Sequence, residues 1–139
     1  VGGRKLKYPP LALSVASYET INMDFIVNKT IEIINLVASL PKEYVGKVIN
    51  VNFPDLPEKE CKGMKVTALA QRGIPSKPIE ISSTDNIKKY RYNLSGKPIQ
   101  EEHLTDALAI QDGYISMTVL DYDLDQTPLR EGLQNYINE

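Results

Sequence analysis

The sequence predicts an α/β fold, and three observations carry that prediction. An apolar run at 11–16 and a β-branched run at 48–53 bracket a segment whose apolar residues recur at helical spacing. A second helix-then-strand pair lies near residues 105–120. Between them, residues 79–94 alternate around a turn without enough apolar surface for a core of their own. At 139 residues the chain is one domain's worth, long enough to bury a core.

Taken in order, Leu11 to Ala16 (LALSVA) follows Pro9 and Pro10 and reads as a short buried strand. A helix is predicted from about Asn22 to Ser39, with Met23, Ile26, Val27, Ile31, Ile34 and Val37 forming one apolar stripe. Pro41 stops it. Val48, Ile49 and Val51 favour a pleated strand, and Pro54 and Pro57 end it by removing two backbone donors and fixing φ. Asn50 and Asn52 lie inside that strand, so their amides need partners; they are read as satisfied structural amides. Strand, helix and strand in this order imply two parallel strands joined by a crossover.

From Gly63, Met64, Val66, Ala68 and Ala70 alternate with Lys65, Thr67, Leu69 and Gln71, the pattern of a strand with one partly polar face. Ile79 to Ser82 and Lys89 to Leu94 flank Ser83-Thr84-Asp85-Asn86, which predicts a long hairpin at about 77–97 with a second turn at Ser95-Gly96-Lys97-Pro98. Its second arm, Lys88 to Tyr92, alternates basic and aromatic residues. A projecting arm of this kind buries its apolar side chains only against another chain. Thr105 is a good N-cap for a helix through Asp112, Asp106 suits the helix dipole, and Gly113 ends the helix. Tyr114 to Leu120 is a strand, apolar at Ile115, Met117 and Val119. Thr127 and Pro128 open a final helix to about Ile137, with Leu129, Leu133, Tyr136 and Ile137 on one face.

Composition removes several function classes. Sixteen basic residues against 18 acidic give a net charge of −2, which argues against a nucleic-acid surface. The basic and aromatic arm is better read as an oligomerisation hairpin than as a platform for single strands. Cys61 is the only cysteine, so no intrachain disulfide forms and a reducing, cytoplasmic setting is expected. No stretch approaches the roughly 20 apolar residues of a membrane helix. Val1 is not a natural start, and the chain reads as a piece of a longer protein.

No motif forms a catalytic constellation by itself. Asp121-Tyr122-Asp123-Leu124-Asp125 opens like a calcium loop, but Gln126 and Gly132 stand where that loop needs glycine and glutamate. A solvated turn is the better reading. His103 and Cys61 are each single, which excludes His/Cys metal clusters and leaves a Cys–His nucleophile without an orienting partner. Gly2-Gly3-Arg4 and Ser95-Gly96-Lys97 lack the spacing of phosphate loops, and Asn28-Lys29-Thr30 and Asn93-Leu94-Ser95 are chance glycosylation tripeptides.

Resemblance supplies what the motifs do not. The succession Gly3-Arg4, Pro9-Pro10-Leu11-Ala12-Leu13-Ser14, Ile49-Asn50-Val51-Asn52-Phe53-Pro54-Asp55-Leu56-Pro57 and Lys62-Gly63-Met64-Lys65-Val66-Thr67 resembles the SurE family. So does the close, Thr105-Asp106-Ala107 through Gly113-Tyr114-Ile115-Ser116-Met117-Thr118 and Asp123-Leu124. The likeness covers essentially the whole chain and implies a Rossmann-like three-layer α/β domain with a protruding β-hairpin and a carboxy-terminal helix. Residues 1–139 would be the carboxy-terminal part of that domain.

The resemblance also implies a function: metal-dependent hydrolysis of nucleoside monophosphates at the 5′ or 3′ position, with magnesium or manganese. In the family the metal is held by an Asp-Asp pair after the first strand, with a serine and an asparagine further on. No Asp-Asp pair occurs here, so no metal, catalytic or substrate-binding role is carried over to any residue. The full-length protein is expected to be the enzyme and this chain alone to be inactive. A homodimer or homotetramer is implied, and no membrane. Ala68, Ala70 and Arg72-Gly73 stand where the family's strand usually continues with arginine, glycine and Arg-His, and Met117-Thr118-Val119 lacks the proline usual after that threonine. Asp106 matches a recurrent family position, although a helix-start role explains it without catalysis. The alternative reading is a stand-alone oligomerisation or binding module without catalysis.

Overall fold

The computed structural model describes residues 7–20, 22–84, 86–92, 96–99 and 101–121, together with 133, 134 and 137. Two parallel strands, β1 (Leu11–Val15) and β2 (Lys47–Phe53), are joined by the helix α1 (Met23–Ala38), as the strand–helix–strand pattern requires. Leu11 pairs with Ile49 and Val15 with Phe53. Later in the chain come β3 (Met64–Val66), the hairpin strands β4 (Ile79–Thr84) and β5 (Ile87–Arg91), the helix α2 (Asp106–Gln111) and β6 (Ile115–Asp121). The last of these inserts between β2 and β3, antiparallel to the first and parallel to the second, giving the order β1-β2-β6-β3.

Strand alternation divides this sheet into two unlike faces. Ile49, Val51 and Phe53 of β2 and Ile115 of β6 lie on one face and are buried against Phe25, Ile26, Ile33 and Val37 of α1. Asn50, Asn52, Ser116 and Thr118 occupy the other face. Ala107 and Ile110 of α2 share a recess with Ser14 and Asn52, so α2 lies on that second face. Helix, mixed sheet and helix make the three layers of the expected α/β fold.

Three boundaries and one stripe differ from the sequence reading. The buried residues of α1 are Phe25, Ile26, Ile33 and Val37, whereas Met23, Val27, Ile31 and Ile34 are about half exposed. Apolar residues cover more than one stripe of this helix, and contact with β2 selects the one that is buried. The strand expected from Gly63 through Ala70 pairs with β6 only as Met64–Val66. Beyond it the backbone is drawn to other partners, Ala68 N–H to Leu104 C=O and Asp106 N–H to Ala68 C=O. The hairpin strands run closer to the tip than predicted, with Thr84 opposite Ile87, so Ser83 and Thr84 belong to a strand rather than to the turn. An irregularity between Glu80 and Ser82 shifts the register. Every residue of β4 and β5 is exposed, including Ile79, Ile81, Ile87 and Tyr90.

The helix and strand predicted at 105–120 are found with their caps. Thr105 Oγ1 accepts the Leu108 N–H at 3.4 Å, and Gly113 takes φ +85°, the left-handed turn that ends α2. The final helix predicted at 127–137 lies largely outside the described residues, as do the acidic loop beyond Asp121, Gly2-Gly3-Arg4 and Asn93-Leu94-Ser95. No helix among the described residues is long and apolar enough to cross a membrane.

Candidate functional site

The polar face of the sheet carries a row of side chains that runs across three strands. Register places Ser14 beside Asn52 and Asn52 beside Ser116. The Ser14 hydroxyl donates to Asn52 Oδ1, and Asn52 Nδ2 donates to Ser116 Oγ at 3.2 Å. One step along, the buried Thr67 and Thr118 hydroxyls lie 2.8 Å apart. Burial of such groups is tolerated only when they are paired, and no buried side-chain nitrogen or oxygen among the described residues lacks a partner. The Asn52 side chain is thus satisfied, as the sequence reading expects, and it also borders a cavity.

That cavity, of about 250 Å³, lies over the ends of β1 and β2. Ser14, Val15, Ala16 and Asn52 come from the two parallel strands and the turn after β1. Asp106, Ala107 and Ile110 come from α2, and Ala70 and Arg72 from the segment after β3. Open α/β sheets bind ligands at the carboxyl ends of their parallel strands, which is where this recess opens.

The segment carrying Arg72 is strapped down along its length. Ala70 N–H donates to Asp106 Oδ1 at 2.8 Å, and the same oxygen accepts the Ala107 N–H at 2.8 Å. Gln71 N–H donates to Glu101 Oε1 at 3.0 Å, and its carbonyl accepts the Ile99 N–H at 2.9 Å. Gly73 N–H donates to the Lys97 carbonyl at 3.0 Å. The two backbones cross so closely at Gly96 that a Cβ there would fall 2.6 Å from the Gly73 carbonyl oxygen, which only glycine permits. Asp106 therefore has a role that the helix-start explanation does not include: it ties the strap to the start of α2.

On the opposite side of the cavity the turn after β1 is held by Asp55 of the Phe53-Pro54-Asp55-Leu56 segment. Asp55 Oδ1 accepts from Thr20 Oγ1 at 2.6 Å and from Asn22 Nδ2 at 2.9 Å. These donors, the threonine first, hold the Asp55 carboxyl below its ordinary pKa. Asn22 stands just before α1, yet its side chain is spent on Asp55 rather than on capping the helix.

Neither Cys61 nor His103 lines this cavity. Cys61 packs against the core beside Gly63, and exposed His103 pairs with Glu101 at 3.1 Å. A divalent cation needs several oxygen ligands, and among the described residues Asp106 is the only carboxylate at the cavity, with one oxygen already taken by two amides. Among the described residues no group of three His, Cys, Asp or Glu is placed to hold a metal. Ser14 and Arg72 carry no local signal of a site, because their cavity partners come from four separate segments.

Comparison with known proteins places this architecture. The sequence profile of Survival protein SurE matches residues 1–76. A 5′/3′-nucleotidase SurE of Cronobacter sakazakii is 32% identical over 124 residues, which are 88% of this chain and 47% of that protein. A 5′-nucleotidase SurE of Haemophilus influenzae is 31% identical, over 99% of this chain and 54% of the relative. The crystal structure of the SurE protein from Aquifex aeolicus superposes with a TM-score of 0.75 at 26% identity, covering 98% of this chain and 54% of that one. The chain spans about half the length of the curated relatives it matches. With profile, relatives and fold in agreement, this chain belongs to the SurE family.

Proposed function

We propose that this chain is the carboxy-terminal part of a nucleotidase, a phosphomonoesterase that hydrolyses nucleoside 5′- and 3′-monophosphates. The observation that carries this reading is that relatives covering nearly the whole chain are named 5′/3′-nucleotidase or 5′-nucleotidase. The cavity over β1 and β2 supports it, since hydroxyl, amide and guanidinium groups meet there at the place where α/β sheets take ligands.

In this reading activity depends on a divalent cation, magnesium or manganese, whose ligands this chain does not supply. The reaction therefore belongs to the longer protein, and residues 1–139 contribute one wall of the site. The setting is cytoplasmic. The exposed hairpin of β4 and β5 serves assembly into a homodimer or homotetramer, where Ile79, Ile81 and Ile87 find cover.

The test is turnover of a nucleoside monophosphate by the longer protein containing this chain, with magnesium or manganese added and then chelated. Phosphate release that stops on chelation is expected, and release should be absent from residues 1–139 alone. Turnover by the isolated chain would place the catalytic groups here and overturn the division. A longer protein inert toward every nucleoside monophosphate would remove the reading altogether.

A further inference from the structure

We propose that Arg72 is the residue of this chain that contacts the phosphoryl group of the substrate, and that Asp106 positions it. The inference rests on the phosphomonoesterase reading and adds a contact and a support to it. Arg72 lines the cavity with Ser14, Asn52 and Asp106. Among the described residues its guanidinium makes no ion pair or hydrogen bond, although a carboxylate borders the same recess. Asp106 forms no ion pair with it, and its Oδ1 accepts the Ala70 and Ala107 amides instead. An arginine with its donors uncommitted, carried at the cavity on a backbone tied on both sides, can offer them to an anion.

The fixation is particular. Ala70, Gln71 and Gly73, which flank Arg72, all donate their amides to partners in residues 97–106, and Arg72 itself pairs with Pro98. Asp106 supplies the tie nearest the cavity. Across the recess, Ser14 gives its proton to Asn52, so its oxygen presents lone pairs to a ligand. A cavity lined by a guanidinium donor and by hydroxyl and carboxylate acceptors suits a molecule with an anionic group at one end and hydroxyls at the other. A sugar phosphate has that form. The guanidinium fork matches phosphoryl oxygens in pairs, which a lysine ammonium does not.

The test uses the longer protein with Arg72→Gln, Arg72→Lys, Asp106→Ala and Asp106→Asn. For Arg72→Gln, KM for a nucleoside monophosphate and the inhibition constant of inorganic phosphate should both rise by about tenfold or more, the scale of one lost charge-assisted contact. Inhibition by the parent nucleoside should change less than about twofold. Arg72→Lys should recover only part of the loss. Asp106→Ala should weaken phosphate in the same direction, and Asp106→Asn, which keeps an acceptor for the two amides, should restore it. Phosphate inhibition that stays within about twofold in Arg72→Gln overturns the contact. Asp106→Asn as damaged as Asp106→Ala overturns the positioning role. Calorimetric titration of inorganic phosphate keeps the two readings apart: a protein without turnover whose phosphate binding still falls in Arg72→Gln loses the nucleotidase reading and keeps the anion contact.

Discussion

Successive side chains of β2 meet two different environments. Ile49, Val51 and Phe53 are sealed against α1, while Asn50 and Asn52 face a polar surface that stays half open between α2 and the strapped segment. The apolar face is held by area removed from water, which is non-directional and tolerant of conservative exchange. The polar face is held by paired hydrogen bonds, each worth little net but costly to leave half made. Stability is therefore concentrated on the apolar face, while the polar face carries the groups that border the cavity.

The comparison breaks most readily on the apolar side. Phe53 is 1% exposed and meets the core formed by α1, so Phe53→Ala should cost about 3–5 kcal/mol by denaturant unfolding of the longer protein. Kinetic constants of the molecules that remain folded should change little. A cost below about 1 kcal/mol would show that this face is not the main source of stability.

On the polar side the expected loss is smaller and comes with lost function. Asn52→Leu leaves the Ser116 hydroxyl, which is 0% exposed, without its donor and Ser14 without its acceptor. Stability should fall by about 1–3 kcal/mol, and KM for a nucleoside monophosphate should rise as well. Loss of stability with unchanged KM would separate this row from the cavity it borders.

Sequence periodicity made the apolar face readable and left the polar face dark. The runs at Leu11 and Val48 and the helices ending at Pro41 and Gly113 follow from local preferences, and all appear within a residue or two of the expected bounds. Which stripe of α1 is buried did not follow, because Met23, Val27, Ile31 and Ile34 fit the helical period as well as Ile26, Ile33 and Val37 do. The length of β3 did not follow either, since the alternation through Ala70 persists after Thr67 while the pairing with β6 ends. Arg72 is silent in sequence for the same reason. Its setting is made by residues 97–106, whose approach depends on a backbone crossing at Gly96 that no local pattern encodes.

The hairpin sharpens the comparison by belonging to neither face. Its strands pair with each other and not with the four-stranded sheet. Removing 79–94 should change stability by no more than about 0.5 kcal/mol yet lower the molar mass in light scattering to that of a smaller assembly. An unchanged mass would remove its assembly role.

The smallest effect expected at neutral pH is at Asp55, and its sign can be derived. Thr20 and Asn22 donate to the ionised carboxylate, so protonation breaks an arrangement that the unfolded chain does not have. The folded pKa lies below the ordinary 3.8, and a group depressed in this way contributes its full stability at pH values above the unfolded pKa. That contribution is lost as pH falls through 3.8 toward the lower folded value. Asp55→Asn lacks the carboxylate at every pH, so it should be less stable than the parent near neutrality and converge with it in acid. Unfolding midpoints for both proteins, taken from about pH 7 down to about pH 2.5, give the comparison. Two parallel curves would mean that the turn beside the cavity is held by packing, and that Asp55 is a bystander in its own motif.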